Sequence, residues 1–314
     1  MAKKLKPPII LFGNTRSGTT IVQKIMSVHP DIAGWYEPNA LWLYADAGRI
    51  HDEFDESDAR KRVKKYIRKK FYKYQKRNGN AVVLEKTPQN ILRVPYVRSI
   101  FPEATFLFIV RNPFSFISSV EFKWQRPVTG RGVVSRLKDT PIIQLHHWVR
   151  RYIVQQIYKR ILKRKYLSIW GPRYRGIHED LKTQDLLTVI ARQWSVCSRR
   201  AEEGFKLFDN GQILRIKYED FVNDPIPDLN RICTHCGFEL TTEMVRAANE
   251  LVKSDRQLKW VRFDPDELAR ILPEIEEEMA RHGYEIPPEI TKTMNPSKKR
   301  DPRQANMKST GAGR

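Results

Sequence analysis

Apolar positions fall into two periodicities along the 314-residue chain. Four short runs, Ile9–Gly13, Ala81–Leu84, Phe106–Val110 and Ile213–Lys217, are dense in Val, Ile, Leu or Phe and too short for helices, so they predict buried strands. Between them the period lengthens to 3.6. Ile21, Ile25 and Val28 share one side of a helix predicted over Thr20–Val28, which stops at His29-Pro30. Val63, Tyr66, Ile67, Phe71 and Tyr74 form a second stripe, with Lys and Arg at most remaining positions. Ile142, Leu145, Val149, Ile153, Ile157 and Ile161 form a third, and Asp264–Gly283 predicts a terminal helix capped by Gly283. Buried strands alternating with helices predict an α/β fold, a mostly parallel sheet with helices on both faces.

No internal repeat is present, and a single domain is expected over residues 1–290, with residues 121–180 as a basic helical elaboration between two strands. Hydrophobicity collapses after Pro287-Pro288, so residues 291–314 are expected to form a disordered basic tail.

Charge changes this picture. The 57 Lys and Arg against 36 Asp and Glu give a net charge of +21, which implies an anionic partner: phosphate, nucleic acid, acidic glycan or anionic lipid. The cations are clumped. Ser57–Arg77 holds eleven Lys or Arg and one acid, Phe122–Asp180 is a second basic region, and the end of the chain is a third. Such blocks also serve simply as solvated helix faces. Three cysteines, Cys197, Cys233 and Cys236, make no disulfide framework. The opening MAKKLKPP runs into IILFG without the apolar stretch of a secretory signal, and no window approaches ~18 consecutive apolar residues. A cytoplasmic protein is expected, with peripheral contact at an anionic membrane surface as a role open to its basic helices.

The most informative segment is IILFGNTRSGTTIV, Ile9–Val22. A predicted strand ends at Gly13 and a helix begins near Gly18–Thr20. Gly13, Gly18, Thr19 and Thr20 occupy the frame of the G-x-x-x-x-G-K-[ST] phosphate loop, with Thr19 in place of the lysine. Glycines let the backbone wrap an anion, and the free N–H groups of a helix start point at it. The competing reading of this segment alone is an ordinary strand–turn–helix with a hydroxyl cap. A kinase or NTPase would need the missing lysine and an Asp that holds Mg²⁺, yet Val110 is followed by Arg111. The segment predicts a P-loop-like site for a phosphate without metal, with Arg16 supplying charge.

Arg16-Ser17-Gly18-Thr19-Thr20 resembles the 5′-phosphosulfate loop of sulfotransferases that use PAPS (3′-phosphoadenosine 5′-phosphosulfate), as it stands in their tyrosylprotein and carbohydrate branches. A second motif strengthens the resemblance: in FLFIVRNPFSFISSV, Arg111 follows a strand and Ser119 lies eight residues on. The family places Arg and Ser at this spacing on the donor's 3′-phosphate, where a guanidinium fork pairs with two oxygens. LRIKYEDFVNDP resembles the family's Tyr-Glu-Asp motif, which implies a nucleoside contact for Tyr218. The later LKWVRFDPDELARILPEIEEEMARHGY resembles the closing segment of bacterial members, implying Lys259 at the 3′-phosphate, with Trp260 either lining the cleft or packing in the core. The resemblance covers about residues 8–286. It implies PAPS as donor, PAP as product and no metal.

Sulfuryl transfer resembles phosphoryl transfer: positioning and charge stabilisation dominate around a loose, in-line transition state. The resemblance places the base at Glu37, in AGWYEPNALW, after the loop's helix. The small-molecule branch instead has a histidine shortly after a lysine on the next strand; VVLEKTPQN retains Lys86 and has no histidine nearby. Lys86 is therefore assigned to the sulfuryl group and bridging oxygen, with Arg16 assisting. Ile21 stands where that branch has the tryptophan that contacts adenine.

Other features carry less. Cys233-Thr-His-Cys236 offers two ligands where structural zinc takes four, and reads as core cysteines on a helix ending at Gly237. His146-His147 reads as surface and packing. The Trp-, Tyr- and Arg-rich stretch between Phe122 and Gly176 suits an acidic glycan, an anionic membrane or a packed amphipathic helix equally. The acceptor is expected to be a carbohydrate, glycolipid or other sizeable hydroxyl compound. No zinc-finger or RNP-like pattern points to specific nucleic-acid binding.

Overall fold

The computed structural model describes residues 5–124, 169–209, 211–253 and 259–294. Five strands form one sheet: β1 (Ile9–Gly13), β2 (Ile32–Tyr36), β3 (Val82–Lys86), β4 (Thr105–Val110) and β5 (Ile213–Lys217). Their order is β2-β3-β1-β4-β5, and every pairing is parallel. Alternation along β1 and β4 divides the core. Ile10, Phe12, Phe106 and Phe108 face one side, and Ile9, Leu11, Leu107 and Ile109 the other. The first face is covered by α3 (Lys61–Arg77), α4 (Val94–Ile100) and α7 (Leu186–Phe205). The second is covered by α1 (Thr19–Met26), α9 (Pro225–Cys236) and α10 (Thr242–Leu251). A third cluster joins α5 (Pro113–Trp124) and α7 to α11 (Pro265–Arg281) and α12 (Pro288–Met294). The short helices α2 (Asn39–Trp42), α6 (Ile177–Thr183) and α8 (Tyr218–Asn223) complete the order.

All four predicted strands are present, and β2 is an addition. Its sequence, IAGWY, gave too weak an apolar signal because it is an edge strand with only its first two residues buried. Gly34 is fixed by packing: a Cβ there would stand 2.2 Å from Ser27 Oγ at the end of α1. In α1 the buried apolar residues are Val22, Ile25 and Met26, with Ile21 half-buried, whereas Val28 lies beyond the helix and is exposed. The predicted terminal helix is α11, and Gly283 follows it at φ 65°.

The boundary at Pro287-Pro288 requires correction. Residues 288–294 form α12, and its Ile290 is fully buried in the third cluster. Among its described side chains Ile290 is the apolar anchor of this short helix, too little for a periodicity to register. Residues 295–314 lie outside the described residues, as do 125–168 with the predicted stripe Ile142–Ile161 and His146-His147. The far end of the basic segment is integral to the fold. Arg173 forms a buried pair with Asp52 at 2.7 Å, and Tyr174 packs in the first cluster.

The cysteines behave as core residues. Cys233 packs with Ile232 on α9, which ends at Gly237 with φ 75°. Burial pushes its thiol up to about 11 and that of Cys236 up to about 12, so neither is a thiolate at neutral pH.

Glu85 precedes Lys86 in β3 and is wholly buried. Its carboxylate accepts hydrogen bonds from Trp42 Nε1 and Asn90 Nδ2, both at 3.0 Å, and from the Thr87 hydroxyl. Removal from water outweighs these donors and raises its pKa to about 7. A carboxyl whose folded pKa lies above its unfolded value stabilises fully below about pH 4.5, and that stability is lost as pH rises through about 7. Unfolding free energy is expected to fall by roughly 3 kcal/mol across that window from this group. Urea melts at pH 5 and pH 8 test this, and Glu85→Gln should flatten the difference; an unchanged slope in that variant would assign it to other groups.

Candidate active site

In a parallel sheet every strand ends at the same edge, and here each of the five delivers residues to one cleft of about 620 Å³. Thr15, Arg16, Gly18, Thr19 and Thr20 follow β1; Tyr36 and Glu37 end β2; Lys86 ends β3; Arg111 follows β4; Tyr218 follows β5.

The loop after β1 turns into α1 through Gly18, at φ 83°, with no side chain capping the helix and no acid in its first turn. The Ile21 and Val22 amides donate to the Gly18 carbonyl at 2.9 and 3.1 Å, which leaves the Thr19 and Thr20 amides at the open end of the helix, where an anion is favoured. Gly18 is also required by contact: a Cβ would meet the Tyr218 ring at 2.5 Å. Ser17 is fully buried, and its hydroxyl has no partner among the described residues; the buried hydroxyl of Thr15 is in the same condition. Unsatisfied donors of this kind suit the oxygens of a bound phosphate.

Arg111 is 6 % exposed. One guanidinium nitrogen donates to the Arg16 carbonyl, the plane lies 4.3 Å from the Tyr218 ring, and Nε is buried without a partner. Burial lowers its pKa, with the cation favoured by Tyr218 and Glu219 and opposed by Arg16. The residues that hold this arrangement were not legible as site residues. Glu219 accepts from the Asn112 amide at 3.0 Å and from the Tyr284 hydroxyl at 2.9 Å, tying the end of β4 to the end of β5 and to the chain after α11. Asn112 caps α5 through its side chain, which accepts from Phe114 and Ser115 amides. That helix carries Ser115, Ser118 and Ser119 along the cleft. Arg16, at φ 66°, reaches across and donates through Nε to Ser119 Oγ at 3.0 Å.

On the other side of the cleft Glu37 sits at φ 46°, a conformation few side chains adopt. Its amide continues the ladder by donating to the Lys86 carbonyl at 3.0 Å. The Lys86 ammonium, 1 % exposed, bonds Glu37 Oε1 at 2.6 Å and lies 4.2 Å from the centre of the Tyr36 ring.

Arg16, Gly18, Thr19, Thr20, Glu37, Lys86, Arg111, Ser119 and Tyr218 all line this cleft. Ser17, between Arg16 and Gly18, is fully buried, and the backbone of Lys259 opens the short turn Lys259–Arg262, of which Arg262 lines the cleft. Trp260 lies against Phe114 of the third cluster, with ring centres 5.6 Å apart and planes tilted by 38°, resolving its two readings toward packing. Lys123, Trp170, Lys253 and Arg262 also line the cleft; Arg262 stands in the closing segment and Lys123 and Trp170 in the aromatic, basic stretch, but nothing in those segments singled them out as site residues.

A model of the sulfotransferase family matches residues 7–169 and 164–242. The chain belongs to the sulfotransferase family. The chain is similar to nodulation protein NoeE of Sinorhizobium fredii strain NGR234, with 28 % identity over 145 residues. That match spans 40 % of this chain and 35 % of the relative, so the chain spans about a third of NoeE's length. Among solved structures, its fold is similar to the sulfotransferase domain from the curacin biosynthetic pathway, with TM-score 0.57 and 13 % identity over 90 % of this chain and all of that one. It is also similar to the sulfotransferase domain of the Synechococcus PCC 7002 olefin synthase, with TM-score 0.55 and 13 % identity, covering 90 % of this chain and 96 % of the other. At such identity these two speak for the fold, the α/β sheet expected from the sequence.

Proposed function

We propose that this sulfotransferase moves a sulfuryl group from PAPS to an acceptor hydroxyl, with Glu37 as base and without a metal. The observation that carries the reading is the convergence of the loop after β1, Glu37, Lys86, Arg111 and Tyr218 on one cleft. The unpartnered Ser17 and Thr15 hydroxyls and Arg111 Nε fit the donor's anionic groups. Ser17–Thr20 and the first turn of α1 would hold the 5′ end. Arg111 and Ser119, with Lys259, would grip the 3′-phosphate, and Tyr218 would support the nucleoside. Glu37 takes the acceptor's hydroxyl proton as the new O–S bond forms. The S–O bond to the 5′-phosphate breaks, and Lys86 and Arg16 neutralise the charge left there.

The acceptor side favours a sizeable hydroxyl compound, a carbohydrate or glycolipid. Tyr36 and Trp170 offer aromatic faces in the cleft. Arg62, Lys65, Lys69, Lys73 and Lys76 are exposed along the outer crest of α3, a helix without a single acid, and would attract an anionic glycan or membrane surface. A cytoplasmic location, peripheral where the acceptor is membrane-bound, fits this use.

The test is transfer from sulfur-labelled PAPS to cell-derived glycan, lipid and small-molecule fractions, in EDTA. Labelled product and PAP binding are expected to survive EDTA, because Arg16, Lys86 and backbone amides already neutralise the donor. An absolute Mg²⁺ requirement, with ATP binding in preference to PAP, would favour a phosphate-loop kinase instead. Tight duplex binding at ~150 mM salt, without PAP binding, would favour a nucleic-acid-binding role.

A further inference from the structure

The base and its neighbouring cation are bound to each other. Lys86 has almost no contact with water, so its ammonium depends on the partners the fold provides, and these are the Glu37 carboxylate at 2.6 Å and the Tyr36 ring at 4.2 Å. A buried ammonium surrenders an anionic partner only for another. Glu37 is bound in turn, through Oε1. Both groups face the cleft, and Glu37 retains 31 % side-chain exposure, so an incoming anion meets the pair directly. The left-handed backbone at Glu37 and its amide hydrogen bond to the Lys86 carbonyl hold the two residues side by side where β2 and β3 end, so the pair is built into the sheet edge.

Resting on the reading of Glu37 as base and Lys86 as the sulfuryl cation, we infer that Lys86 is a clamp on Glu37 that the donor's sulfuryl group releases. Lys86 exchanges Glu37 for the sulfuryl and bridging oxygens, and the freed carboxylate becomes competent to take the acceptor proton. The base is therefore switched on only when sulfuryl is present. PAP lacks that group and leaves the clamp closed. Tyr36 positions the ammonium in both states, since a ring face holds a cation without fixing its hydrogen bonds. Acceptor chemistry consequently follows donor binding in a fixed order.

The test needs no acceptor. PAPS and PAP affinities are measured by calorimetry for the wild-type protein, Glu37→Gln, Lys86→Met and the double variant. With the clamp, Glu37→Gln tightens PAPS binding about three- to tenfold, leaves PAP within about twofold, and has no effect on PAPS in the Lys86→Met background. Equal tightening in both backgrounds would show plain charge repulsion by Glu37, and no tightening would show no exchange; either overturns the clamp. Lys86→Ala replaces Lys86→Met in the cycle if the latter unfolds, since it likewise has no donor for Glu37 and leaves room for water beside the carboxylate. The base is judged separately, by turnover: Glu37→Gln that loses turnover without tightening PAPS keeps the base and removes the clamp, and the reverse result keeps the clamp and removes the base.

Discussion

Glu37→Gln is expected to lower kcat for sulfuryl transfer by ~10²–10⁴ while PAP affinity stays within about twofold. The amide keeps the size and shape of the carboxylate, so the tight backbone turn at φ 46° and the Asn39 amide bond to the Glu37 carbonyl persist. What is lost is the ability to accept a proton as the O–S bond forms. General-base assistance of this kind accounts for losses of that order, whereas a packing defect would lower stability and affinity as well. Steady-state rates at saturating PAPS, with the acceptor found by label transfer, measure it; PAP titration of the same sample controls for folding. Activity within about threefold of wild type would place the base elsewhere or show that the acceptor ionises unaided.

Arg111→Ala is expected to weaken PAP binding by roughly 2–4 kcal/mol, and Ser119→Ala by only about 1 kcal/mol. The asymmetry follows from burial. The Arg111 guanidinium is held between the Arg16 carbonyl and the Tyr218 ring with Nε unpartnered, so it is oriented before a phosphate arrives. Removing it deletes a charge-assisted fork where little water can substitute. Ser119 contributes one neutral hydroxyl that already accepts from Arg16. Calorimetry on folded variants tests the order, and unchanged PAP affinity in Arg111→Ala would remove Arg111 from the donor grip.

Much of the site is legible in the sequence because each donor motif is local. The loop Arg16–Thr20 joins a strand to a helix, and Arg111 to Ser119 spans a strand end and the helix after it. Short-range geometry turns residue type and spacing into position, so neither motif needs tertiary knowledge to be read. The supporting residues are different. Glu219 stands in a recognised motif, but its bonds to Asn112 and Tyr284 join segments 107 and 65 residues apart. Arg262 and Trp170 enter the cleft from segments whose patterns did not single them out, and Lys253 from one without a pattern. The edge strand β2 was missed for a related reason: half of it faces away from the core, and its glycine answers to Ser27, not to strand propensity.

The sequence by itself determined the α/β alternation, the phosphate loop without its lysine, and the Arg111–Ser119 spacing. Each is a matter of hydrophobic period or of residues a turn apart. Tertiary structure alone decided that Glu37 and Lys86, 49 residues apart, meet at 2.6 Å. It also decided that Tyr218 lies against Gly18, and that the third cluster claims Trp260 and Ile290. The physical reason is the parallel sheet. It gathers the carboxyl ends of five strands on one edge, whatever the length of chain between them, and the hydrogen-bonded register of β2 against β3 sets Tyr36 opposite Lys86. Register is a property of two strands paired, and one strand's sequence does not contain it.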